Sequence, residues 1–60
     1  MKLYNVCVYN YVEAFNDVYM VWANDHVDAR NVAVQRLIDE TGAGLDAWEI
    51  VVVIEVKEGA

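Results

Sequence analysis

Residues 18–42 read VYMVWANDHVDARNVAVQRLIDETG, and within them the chain changes from one backbone periodicity to another. Residues 18–23, VYMVWA, are β-branched, aromatic or long apolar, which suits a pleated strand. Asn24 and Asp25 then break the run with side-chain oxygens able to accept hydrogen bonds from the unpaired amides of a helix's first turn. The carboxylates of Asp25 and Asp28 also suit the positive end of its dipole. At the helical repeat, Val27, Ala29, Ala33, Val34, Leu37 and Ile38 fall on one broad arc, with Asp28, Asn31, Gln35, Arg36 and Asp39 opposite. The spacing predicts an amphipathic helix of about four turns. Arg36 lies within reach of Asp39 and Glu40, Gly42 can take the left-handed conformation that ends a helix, and Leu45 can pack back on the last turn.

Outward from that stretch, residues 3–12, LYNVCVYNYV, are uncharged and rich in Val and Tyr, so residues 2–12 read as a strand. Tyr4, Val6 and Val8 share one face, and Leu3, Asn5, Cys7, Tyr9 and Tyr11 the other. Residues 13–17 supply Asn and Asp for a hairpin turn, which makes the first two strands antiparallel. Residues 48–57 alternate, with Trp48, Ile50, Val52, Ile54 and Val56 on one face and Glu49, Val51, Val53, Glu55 and Lys57 on the other. The expected fold is α+β, with element order β-β-α-β. The first strand lies between the other two in a three-stranded antiparallel sheet of order 2-1-3, and one helix packs on one face. No repeat, linker or low-complexity block divides residues 1–60, so a single small domain is expected.

Sixty residues, 58% of them hydrophobic and 12 of them Val, form a core-building chain near the smallest size that folds without disulfides or metal. There is no Pro, no Ser and one Thr, so hydroxyl nucleophiles are nearly absent and no enzyme activity is expected. A net charge of -6 repels phosphate backbones and anionic lipid, which argues against a direct nucleic-acid grip or a membrane surface as partner. The lone Cys7 cannot form an internal disulfide, and the basic-then-apolar pattern of a signal peptide is lacking. The run at residues 50–54 is too short to span a bilayer, so a cytoplasmic setting is expected.

His26, Asp25 and Asp28 bring one nitrogen and two carboxylates together within four residues, a set that a dimer mate would have to complete to hold a divalent metal. Carboxylates at a helix start ordinarily cap it, so no metal and no cofactor are expected. Arg30 stands within the apolar arc one turn after His26. Its stem can lie on an aromatic ring while its head reaches water, or it can meet an anion or a partner together with His26. His26, Arg30 and Asp28 are therefore the candidate ligand or partner-binding residues. Cys7, between Val6 and Val8 and far in sequence from any base, reads as a packed thiol. The acid pairs Asp39-Glu40 and Glu55-Glu58 read as solvated surface, and no Gly-rich phosphate loop is present.

A chain of this length hides only about 60% of its unfolded surface when folded alone. One helix covers one sheet face, yet both faces carry apolar side chains. The uncovered face is expected to meet a second copy, either by stacking sheets about 10 Å apart or by pairing edges into a continuous six-stranded sheet. Val51, Val53, Tyr9 and Tyr11 are the interface candidates. The expected role is a small acidic cytoplasmic interaction module, a homodimer whose acidic helix face and loops meet another protein. The alternative is a small-ligand or metal-binding dimer with its site near the helix N-terminus.

The strand ending in Ala, the capping Asn-Asp and the Asp-Ala pair of residues 18–42 resemble the strand-to-helix joint of many small α/β domains. With its short acidic chain and final EIVVVIEV at residues 49–56, the sequence is similar in style to small uncharacterised proteins of bacteriophages and environmental samples. That resemblance implies a phage or microbial origin and carries over no functional residue; if the origin is viral, a binder of a host factor is expected.

Overall fold

The computed structural model describes residues 1–57, so Glu58 of the Glu55-Glu58 pair and the end of the expected 1–60 domain lie outside the described residues. Strands β1 (Lys2–Asn10) and β2 (Phe15–Ala23) form a hairpin, helix α1 (His26–Thr41) follows, and β3 (Trp48–Glu55) completes an antiparallel sheet of order β2-β1-β3. This is the expected β-β-α-β fold of the α+β class. The order follows from connection lengths: a tight turn forces β2 beside β1, and the helix carries the chain across the sheet to the other side of β1.

The core is one layer between sheet and helix. Tyr4, Val6 and Val8 of β1, Val21 and Ala23 of β2, and Trp48 of β3 meet Ala29, Ala33 and Leu37 of the helix. The three helix residues recur every fourth position, so they form one ridge, and the two alanines let the helix backbone approach closely. The buried arc is narrower than the expected one: Val27 is 70% exposed and Ile38 43%. Both lie on its flanks, where a sheet of three strands is too narrow to reach them.

Asp25 is the N-cap, its Oδ1 accepting the Asp28 N–H at 2.8 Å, while Asp28 Oδ2 accepts the Asn24 N–H at 3.0 Å. Gly42 ends the helix at φ 79, and its N–H donates to the Ile38 carbonyl at 2.9 Å. An added Cβ at Gly42 meets nothing within 4 Å, so Gly42→Ala isolates the backbone cost of the left-handed conformation. The expected loss is about 1 kcal/mol, read as a fall of roughly 4–8 °C in melting temperature.

Three local expectations are corrected. First, the hairpin turn spans residues 11–14 instead of 13–17. The buried Asn10 makes it, its Oδ1 accepting from the Val12 and Glu13 N–H groups at 3.0 and 2.7 Å and its carbonyl from Ala14 N–H at 2.7 Å. Second, β1 therefore stops at Asn10, and Tyr11 lies just beyond it in the turn. Third, β3 does not alternate throughout: Cys7 pairs with Val52 and Val8 with Ile50, which leaves Val51 unpaired as a β-bulge. One extra residue exchanges the faces of everything after it. Val53 and Glu55 thus join Trp48 and Ile50 on the helix side, and Val53 packs against the core, whereas Val52 and Ile54 turn to the uncovered side.

Candidate interaction surface

Directly opposed residues of an antiparallel ladder point to the same face, so the register defines the uncovered side row by row. Trp22 lies beside Leu3. The next rows run Met20, Asn5, Ile54, then Val18, Cys7, Val52, then Asn16, Tyr9, Glu49. One of these eleven residues, Glu49 at a corner, is charged. Trp22, Met20, Val18 and Ile54 are each more than half exposed. The three strands, about 30 Å long and about 4.8 Å apart, present a flat area of roughly 400 Å².

The acidic groups lie elsewhere. Eight of the nine described carboxylates, all but Glu49, belong to turns, the helix or the covered side of the sheet. The molecule is thus two-sided: one face nearly neutral and apolar, the remainder acidic.

The two sheet edges differ in how their outward polar groups are treated. On β2, Asp17 Oδ1 accepts the Val18 N–H at 2.8 Å. Arg36 reaches across from the helix and donates from Nη1 to the Met20 carbonyl at 2.9 Å, its guanidinium 5.7 Å from the Tyr19 ring centroid and 3.6 Å from Glu40. On β3 the bulge at Val51 interrupts the regular row, and Trp48 N–H donates inward to the Gly44 carbonyl at 3.0 Å.

Burial pushes the Tyr19 hydroxyl above the usual phenol range, aided by the Glu40 and Asp17 carboxylates and opposed by Arg36. Below the ordinary phenol value of about 10, Tyr19 is neutral in both folded and unfolded chains; above it the unfolded chain ionises first, so stability falls as pH rises. Urea midpoints measured from pH 9 upward are expected to decline beyond about pH 10, and less steeply in Tyr19→Phe.

The residues expected to bind a ligand are given other partners. Asp28 and Asp25 are engaged in the cap. The His26 ring stands edge-on to Tyr4, with centroids 5.0 Å apart and planes at 70°. Arg30 is exposed and lines an open groove of about 430 Å³ with Tyr11, Leu45, Trp48, Glu49 and Ile50, a set that includes neither His26 nor Asp28. No hydrogen bond or ion pair joins His26, Arg30 and Asp28, and among the described residues no group of three or more His, Cys, Asp or Glu side chains is placed to hold a metal.

Of the four interface candidates, Tyr9 is half-buried on the uncovered face and Val51 is exposed on the bulge. Val53 lies on the core side, and Tyr11 donates its hydroxyl to the Leu45 carbonyl at 3.0 Å from the turn. Val18, Met20, Trp22, Val52 and Ile54 fill the face instead. The four-residue loop after Asn10 places the three β2 residues there by parity alone. No helix of the described residues is long and apolar enough to cross a membrane. Compared with protein-family models, curated proteins and solved structures, the chain matches none.

Proposed function

We propose that this chain is a small protein-interaction module of the cytoplasm that works as a homodimer and catalyses no reaction. The observation that supports it is the uncovered sheet face, where the apolar side chains of three strands meet water with a single carboxylate among them. At roughly 400 Å² the patch is in the size range of the largest apolar patch that a protein surface carries, which is often a functional one. Burying it adds to the stability of a chain whose core is one thin layer. The acidic side then faces outward in both subunits, available to a second protein with a basic site, which is a host factor if the chain is phage-encoded.

Sedimentation equilibrium from one to several hundred micromolar tests the reading. A species of twice the 6.8 kDa chain mass at the upper concentrations is expected, and a 6.8 kDa particle throughout overturns it.

A further inference from the structure

We infer that the two copies meet face to face, β1 over β1, with the Cys7 thiol sealed near the two-fold axis. This rests on the homodimer reading and chooses between its two geometries.

Edge pairing needs a row of free amides and carbonyls. The β2 edge has lost part of that row to Asp17 and to Arg36, whose guanidinium lies across the Met20 carbonyl where a neighbouring strand would dock. The β3 edge is kinked by the unpaired Val51, and a bulge in mid-strand breaks the repeat that an incoming strand must match. Neither edge is built to be extended.

The uncovered face has the opposite character. Its polar groups are the Asn5 and Asn16 carboxamides and the Tyr9 hydroxyl, each able both to donate and to accept and so to pair across a two-fold with a second copy, and its one charged group is Glu49 at a corner. A basic partner recruited by the net charge of -6 is drawn to the carboxylates on the other sides and finds nothing to pair with here. A second copy meets the face with the same neutral, apolar surface and holds both sets of carboxylates outward, which fits the charge distribution better than any charged occupant. The area available is roughly 400 Å², about a tenth of the 3972 Å² accessible surface, and about half of what each partner gives to an interface of standard size. Two copies bury about 800 Å² between them, the small, weak end of protein contacts, so association no tighter than the micromolar range is expected.

Stacked sheets align within about 30° and lie about 10 Å apart. Whether the two-fold runs along the strands or across them, the central strand lies over its own copy, so Cys7 is near the middle of the seam in either case. At that spacing the two thiols are too far apart for a disulfide, whose Cα atoms lie within about 7 Å, so Cys7 reports burial without cross-linking.

Alkylation of Cys7 with iodoacetamide, timed across the concentration series used for sedimentation, tests the geometry. The labelling rate is expected to fall at least tenfold as the dimer forms. In Met20→Lys, whose substituted side chain is 56% exposed and whose fold is checked by circular dichroism, the rate is expected to stay constant and the mass to stay that of one chain. A wild-type dimer whose Cys7 labels at the dilute-solution rate overturns the stacked geometry and leaves the homodimer standing. A single-chain mass at every concentration overturns both.

Discussion

Leu37→Ala is expected to remove roughly half of the chain's stability and to lower its melting temperature by more than about 10 °C. Leu37 is the one large side chain that the helix buries; its companions on the ridge, Ala29 and Ala33, contribute little apolar area each. Truncating a fully buried leucine costs about 2–5 kcal/mol through lost transfer energy and the cavity left behind. A domain of this length has a total stability of about 3–9 kcal/mol, so one substitution removes roughly half of it. Far-UV circular dichroism with a thermal scan reads the result. A cooperative transition within a few degrees of the parent shows that the helix is held by something other than this contact.

Trp48→Ala is expected to cost about 3–5 kcal/mol, the range for a buried aromatic, and to loosen the hairpin turn as well as the core. Trp48 is 4% exposed at the start of β3, and Phe15 opens β2, both paired with Asn10 of the strand between them. The two rings meet edge to face over that strand, with centroids 5.3 Å apart and planes at 85°. Together they roof Asn10, whose carboxamide oxygen holds the turn through two backbone amides. Removing the indole admits water to that site, where it competes for the same amides. Trp48→Phe keeps part of the roof and is expected to lose less than half as much. Equal losses in the two variants, measured by urea unfolding, show that the ring contact over Asn10 is not what matters.

The sheet order, the covered face of β1 and both helix caps could be read from the residue sequence because each has a local cause. Asn24-Asp25 and Gly42 carry cap chemistry, Tyr4, Val6 and Val8 alternate with half-polar neighbours, and the hairpin and crossover leave one natural order. The bulge had no such mark. Ile50, Val51, Val52, Val53 and Ile54 are all apolar and β-branched, so the run reads equally well in either parity, and only pairing with Cys7 and Val8 decides which valine is left over. The turn's place is hidden for a related reason: Asn16 and Asp17 have turn chemistry, but Asn10 has it too and is buried beside two rings. At the helix start, the same carboxylates served equally well for a cap and for a ligand site, and the hydrogen bonds of Asp25 and Asp28 favour the cap.

Arg36 ties the fate of the β2 edge to that of the helix. Its grip on the Met20 carbonyl exists only while α1 is docked, so any event that lifts the helix also uncovers a nine-residue strand with three aromatic residues and no proline. Such a strand is the raw material of fibrils. Helix detachment and fibril growth are therefore one hazard in this molecule, and a guanidinium laid across a carbonyl guards against both.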